Sequence, residues 1–123
     1  MPTYTANLGV TKLDAGQANA HVRVNEALDV LDKAIAGRLA IDLTGLTTKT
    51  LTGAESTNDI LHVTATTAAC DLVVQAVPKR WTVINDGSHT VTLKRASQGS
   101  PPTIAAGAIK HFVCDGTNVR LVG

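Results

Sequence analysis

The sequence contains few aromatic residues: of its 123 residues, only Tyr4, Trp81 and Phe112 carry a benzene or indole ring. A core must therefore be built from Val, Leu, Ile and Ala, which bury less area each than aromatic rings. A short chain with such a core is marginally stable by itself. The scarcity of rings favours an oligomer, and it disfavours a sugar-binding site that would stack its ligand on exposed aromatic residues.

Long apolar runs and an excess of one charge are also missing. No stretch approaches the roughly 20 apolar residues of a membrane span. The net charge is +1 with both signs interspersed, so we expect neither a nucleic-acid nor a membrane partner. The N-terminus has no basic start followed by an apolar stretch, so no secretory signal is visible and we expect synthesis in a cytoplasm.

Motifs that carry chemistry are absent as well. No G-x-S-x-G, Walker or G-x-G-x-x-G sequence occurs. The four histidines are not at metal-ligand spacing; they are His21, His62, His89 and His111. His111 stands three residues before Cys114, which in a strand places the two side chains on opposite faces. We therefore predict no catalytic residue, no metal site and no cofactor: the chain is not an enzyme.

The two cysteines, Cys70 and Cys114, lack C-x-x-C spacing, which excludes a zinc or redox motif. Both stand at the ends of predicted strands. A disulfide between them needs Cα atoms within about 7 Å. Two small buried thiols are the other interpretation, and the sequence leaves both open.

Three segments follow one another along the chain. Residues 1–22 are polar and without period, which predicts an extended attachment arm. Residues 23–38 predict a short oligomerisation helix. Residues 39–123 predict a β-domain, because short Val- and Thr-rich runs alternate with turn signals such as "NDGS", "SQGSPP" and "DGTN". The predicted fold is mainly β: an arm, a helix, and a small antiparallel β-sandwich or roll.

The predicted helix has an apolar stripe at the four-three-four spacing of a coiled-coil seam. Its members are Val24, Leu28, Leu31 and Ile35. Asn25 is suited to cap the start of the helix, and Gly37 to end it. A helix this short needs a partner for its stripe. That partner is either another copy of the chain or the β-domain of the same chain.

The stretch "FVCDGTNVRLV" predicts a hairpin whose turn is Asp115, Gly116, Thr117 and Asn118. Asp-Gly between apolar runs is a strong hairpin signal, because glycine accepts the positive φ of the turn. The stretch "VINDGSHTVTL" follows the same plan, which favours architecture over a binding site. Calcium binding would need further spaced carboxylates, and Asp115 has none near it. In the strand "RWTVIN", Trp81 is predicted to face the core with Val83.

The stretches "NLGVTKLDAGQ" and "VNEALDVLDKAIAG" resemble the start of small virion proteins of tailed bacteriophages, where an "NLGL" segment precedes an "N-x-x-LD-x-LD" helix. The remainder resembles the β-module that closes many phage tail-fibre and appendage proteins. It shares Leu51-Thr52, a "W-x-V-x-N" strand from Trp81 to Asn85, and a terminal "DGTNV". Leu13-Asp14 stands where that group often has proline, and the two cysteines are outside its usual pattern.

The resemblance implies a non-enzymatic structural protein of the virion, commonly a homotrimer. Its position as a tail fibre, a neck appendage or a head-decoration protein is left open. The arm would attach to a neighbouring capsid, neck or tail protein, the helix would join three copies, and the β-domain would project. The alternative function is a receptor-binding module that recognises a glycan or protein on the host surface.

Overall fold

The computed structural model describes residues 3–12 and 20–123. A helix, nine strands and a single helical turn follow one another in this part of the chain. They are α1 (Ala20–Ala36), β1 (Arg38–Leu43), β2 (Thr48–Thr50), α2 (Gly53–Ser56), β3 (Ile60–Thr66), β4 (Cys70–Val74), β5 (Lys79–Asn85), β6 (Val91–Arg95), β7 (Thr103–Ile104), β8 (Ile109–Cys114) and β9 (Val119–Leu121). The predicted mainly-β fold with a short N-terminal helix is confirmed.

The strands form two mixed sheets that enclose one hydrophobic core. One sheet has the order β1-β3-β5-β8-β9, and the other has the order β2-β4-β6-β7. Successive strands from β1 to β6 alternate between the sheets, so the chain winds as a short two-sided coil. Each turn of the coil contributes one strand to each sheet.

The first six strands pair in parallel, which corrects the predicted antiparallel sandwich or roll. Arg38 pairs with Ile60 and Ile60 with Thr82, a step of 22 residues each time. The chain returns to the same sheet after one turn and therefore runs in the same direction. Turn signals recurring every ten residues or so are compatible with both architectures, because each turn of the coil needs corners just as hairpins do.

The C-terminal strands close the last turn of the coil in the antiparallel sense. Strand β7 pairs with β6, β8 with β5, and β9 with β8. Gln98 links the two sheets here: its amide nitrogen donates to the carbonyl of Val119 at 2.8 Å, and its oxygen accepts the Val119 N–H at 2.9 Å. The backbone N–H and carbonyl groups of the buried Val119 are thereby both hydrogen-bonded.

Inward-facing side chains of both sheets fill the core with aliphatic residues around Trp81 and Phe112. Trp81 is 1% exposed, as predicted, and its indole N–H donates to the Ser56 carbonyl at 2.8 Å. Asn85 is fully buried, and its amide nitrogen donates to the carbonyls of His89 and Ile104. Burial of these polar groups is tolerated because each has a hydrogen-bond partner.

Helix α1 begins at Ala20, earlier than the predicted start at 23, and it ends at Ala36 rather than 38. Asn25 therefore lies inside the helix and does not cap it. Gly37 follows the last helical residue, as predicted, and its N–H donates to the Lys33 carbonyl at 2.8 Å. Among the residues that the structure describes, no helix has the length and apolar character needed to cross a membrane.

Candidate interaction surface on the N-terminal helix

The apolar seam of α1 is open to solvent. Leu31 is 57% exposed and Ile35 is 63% exposed; Val24 is exposed too, and Leu28 is half-buried. In the described part of the chain, the helix makes no extensive contact with any strand. Three of the four seam residues are thus uncovered within the described part of the chain, which disfavours the alternative that the stripe packs on the β-domain of its own chain.

Residues 3–12 form a small hairpin, which corrects the predicted extended arm over the described part of 1–22. Tyr4 and Thr11 form an antiparallel bridge, and the Thr5 N–H donates to the Val10 carbonyl at 2.9 Å. Gly9 takes a φ of +67° in the turn, a conformation that glycine adopts without strain. The sequence of residues 3–12 lacks the alternating pattern of a hairpin. Contacts with helix α1 stabilise this hairpin instead. Residues 1–2 and 13–19 of the predicted arm lie outside the described residues.

Asp32 is the point at which the hairpin is held. Only 2% of this residue is exposed. Its Oδ1 accepts from the Thr5 hydroxyl at 2.7 Å and from the Leu8 N–H at 2.6 Å, and its Oδ2 accepts from the backbone and side-chain nitrogens of Asn7 at 2.9 and 2.8 Å. One carboxylate thus receives four donors from one short loop. Hydrogen bonds to an ionised acceptor are the stronger kind.

The surroundings of Asp32 favour its ionised form. Burial by itself raises the pKa of the carboxyl group. The donors of Thr5, Leu8 and Asn7 outweigh that effect and lower the pKa from 3.8 to about 2. The carboxylate is therefore charged at neutral pH, and the hairpin neutralises it by directed N–H and O–H groups rather than by a cation.

A second contact ties the end of the hairpin to the same side of the helix. Lys12 Nζ lies 2.7 Å from an oxygen of Asp29. Asp29 is about one helical turn before Asp32, so both acidic residues lie on one flank of α1. A salt bridge with an exposed partner contributes little by itself, and we assign the main anchoring to Asp32.

The predicted turn residues Asp115, Gly116, Thr117 and Asn118 connect β8 to β9. Asp115 Oδ1 accepts the N–H groups of Thr117 and Asn118, both at 2.9 Å, and Gly116 has a φ of +95°. The amides of Asn118 and Thr117, together with Arg120, lower the pKa of Asp115. Its oxygens are used within the turn, so the geometry here is that of a structural turn.

The two cysteines are both buried free thiols in the structure. Cys70 lies in β4 of one sheet and Cys114 in β8 of the other. Burial raises the pKa of the Cys70 thiol, and the Asp71 carboxylate raises it further. A thiol of raised pKa is a poor nucleophile.

Three histidines lie at the surface in ordinary polar contacts. His62 Nδ1 accepts from Arg38 at 2.9 Å, so Nε2 carries the proton that faces Asp86 at 2.5 Å. His89 contacts Thr66, and His111 contacts Thr82; the side chain of His21 lies outside the description. Within residues 3–12 and 20–123, no three potential metal ligands lie together.

A hollow of about 460 Å³ opens beside the pair of Thr82 and His111. Its other side chains are of mixed character; they include Asp59, Arg80, Val113 and Val122. A carboxylate, a guanidinium and an imidazole could contact a polar ligand here. Thr82 Oγ1 lies 3.0 Å from His111 Nδ1, so a hydroxyl group and an adjacent imidazole also meet in this hollow.

Asp32 is the functional residue that sequence reasoning missed. The seam was visible because its spacing is periodic, whereas the partners of Asp32 are Thr5, Asn7 and the backbone of Leu8, which lie 24 to 27 positions away with no pattern of their own. The available signal was that Asp32 directly follows the seam residue Leu31 in "VLDK". This signal is weak, because a coiled coil accepts many residue types at that position.

The described residues thus define a two-sided β-coil that carries an exposed amphipathic helix with a hairpin clamped to its flank. No protein-family model matches the chain, and neither a curated protein nor a solved structure is significantly similar to it.

Proposed function

We propose that this chain is a non-enzymatic structural component of a tailed-phage virion, assembled as a homotrimer through helix α1. The observation that carries the proposal is the apolar seam of α1, of which Val24, Leu31 and Ile35 are exposed in the described part of the chain. An a/d seam is the pattern through which helices pack on one another in coiled coils.

The assignment to a phage particle rests on the sequence stretches that resemble virion proteins. The structure agrees with the implied layout of an N-terminal helix followed by a compact β-domain. Residues 1–22 would attach the assembly to a neighbouring capsid, neck or tail protein, and the β-domain would project. Antibodies against the β-domain, imaged on phage particles, would locate it on the head, neck or tail; unlabelled particles would contradict the assignment.

Light scattering tests the assembly. We expect the mass of three chains for the unmodified protein and of one chain for Leu31→Asp, because the substitution buries an unpaired carboxylate in the interface. Val30→Asp is the matched control: Val30 is the preceding residue, is exposed, and lies away from the seam. A single-chain mass for the unmodified protein would refute the proposal, and an intact Leu31→Asp trimer would show that the seam is not the interface.

A receptor-binding module is the second candidate function. The hollow lined by Arg80, Thr82 and His111 is the observation that favours it. Trp81 offers no stacking platform, since its ring is buried and its N–H is bonded to Ser56. Binding of the protein to host cells that is lost in Arg80→Ala would support this candidate, whereas equal binding by both proteins would exclude the hollow as the site.

A further inference from the structure

The N-terminal hairpin lies in a particular place relative to the seam. With Leu28 and Ile35 at the a positions and Val24 and Leu31 at the d positions, Asp32 occupies an e position. In a parallel coiled coil, the e positions of one helix face the g positions of its neighbour. The hairpin bound to Asp32 therefore lies in the groove where the next helix of an assembly would pass.

The side chains at the g positions are unusually small. Both are alanines, Ala27 and Ala34, and Ala27 is exposed. Long charged residues are common at e and g, where they pair across the interface. Alanine at both g positions leaves space beside the neighbouring helix, and it leaves an apolar surface to be covered.

The hairpin has the apolar side chains to cover that surface. Leu8 and Val10 are exposed, although Leu8 is fixed through its own N–H to Asp32. The anchoring uses backbone and polar groups and so leaves these apolar side chains pointing away from Asp32.

We propose that the hairpin of residues 3–12 forms a second layer of the interface between copies, with Leu8 of one chain packed against Ala27 and Ala34 of the next. The occupant of the hairpin's outer face is thus a second copy of this chain. The inference rests on the proposed trimer. It explains how a seam of only four residues holds an assembly together, since most helical stability in proteins comes from tertiary packing.

Cysteine cross-linking of the full chain tests this contact. In the variant Leu8→Cys with Ala27→Cys, the two positions of one chain lie on opposite sides of its own helix, because Ala27 is five residues from Asp32 at about 100° per residue. A disulfide between them must join two chains. We expect oxidation to give covalent trimers on a non-reducing gel.

Glu26 supplies the matched control. It is exposed and adjacent to Ala27, but it lies on the side of α1 that faces away from neighbouring helices. We expect Leu8→Cys with Glu26→Cys to remain at the single-chain mass on the same gel. Equal cross-linking of the two variants would overturn the proposal, since contact would then be indiscriminate.

The failure of this contact and the failure of the trimer have different signatures. A trimer by light scattering that gives no cross-link with Ala27→Cys would overturn the hairpin contact and leave the seam interface standing. A single-chain mass for the unmodified protein would overturn both. As a second measurement, we expect Asp32→Asn to raise the concentration at which the trimer dissociates by roughly tenfold; an unchanged dissociation curve would contradict the proposal.

Discussion

At the scale of single residues, a few buried positions require a particular charge, hydrogen-bonding group or size that the residue type alone does not reveal. Asp32 must be ionised to accept four donors, and Asn85 must find partners inside the core. Gly37 must be small: a Cβ built on it would lie 2.5 Å from both Asn58 Oδ1 and the Lys33 carbonyl oxygen. Asp32 joins the helix to its hairpin, Gly37 joins it to the β-domain, and Asn85 links strands within the β-domain.

We expect Gly37→Ala to lower the free energy of unfolding by about 1–3 kcal/mol, because the added methyl group collides with backbone that cannot move freely. Gly99→Ala is the control, since a Cβ at Gly99 has no neighbour within 4 Å; its effect should stay within about 0.5 kcal/mol. Denaturant titrations of the two variants provide the comparison. Equal stabilities would show that the Gly37 site relaxes.

Docking of the hairpin should depend on acid. The Asp32 pKa is lowered from 3.8 to about 2 in the docked state. The contribution of the ionised carboxylate is therefore complete above about pH 4 and is lost as the pH falls through 2. Hydrogen exchange of the Leu8 amide should show strong protection at pH 5 that disappears in this window.

Asp32→Asn should remove that protection at every pH. The side-chain amide of the introduced asparagine would place an NH₂ group opposite the two N–H donors of Asn7, and two donors cannot form a hydrogen bond. Exchange at the Trp81 amide, in the core, reports global unfolding and serves as the control. Loss of both signals at the same pH would mean that the hairpin does not undock separately.

At the scale of elements, the local patterns of the sequence predicted the strands and turns but not the way in which the strands pair. The strand runs, the hairpin turn at Gly116 and the inward direction of Trp81 follow from alternation and turn chemistry, which are local. The parallel pairing of Arg38 with Ile60 depends on contacts 22 residues apart, and no residue type encodes it. The docking of the N-terminal hairpin was missed for the same reason, since its partner Asp32 is distant in the chain.

The last hairpin should be sensitive at Gly116 and tolerant at Asp115. We expect Gly116→Ala to cost about 1 kcal/mol, because its φ of +95° is strained for a residue with a Cβ. Asp115→Asn keeps an oxygen for the amides of Thr117 and Asn118 and loses only an exposed contact to Arg120, so it should change stability by less than about 0.5 kcal/mol. Thermal unfolding of both variants, with and without calcium, checks this. Stabilisation by calcium that is lost in Asp115→Asn would show a binding site instead.

At the scale of the whole molecule, the helix and the β-domain have separate tasks. Among the residues that the structure describes, the members of the hydrophobic core lie between Leu39 and Val119, and none of them belongs to helix α1. We therefore expect the β-domain to fold by itself, and we propose that α1 and the hairpin serve assembly. Although aromatic residues are few, the two sheets form a core around Trp81 and Phe112 without a contribution from the helix.

Removal of residues 1–36 should give a folded β-domain of single-chain mass. Tryptophan fluorescence should stay blue-shifted, because Trp81 keeps its burial and its bond to Ser56. Light scattering should show the mass of one chain, whereas we expect the mass of three chains for the full-length protein. Red-shifted emission from the shortened chain would indicate that the helix is needed for folding.

The winding of the chain also sets the length of the β-domain, which grows by a fixed amount with each turn. Each turn consumes about 22 residues and adds one strand to each sheet, which advances the coil by about 4.8 Å. A tandem duplication of residues 60–81 would lengthen the domain by one such step and leave the helix at one end and the antiparallel closure at the other unchanged. Steps of 23 and 21 residues already occur in the other sheet, where Thr48 pairs with Asp71 and Cys70 with Val91, so the corners tolerate small changes in loop length. The reach of such a domain would change by gain or loss of a complete turn.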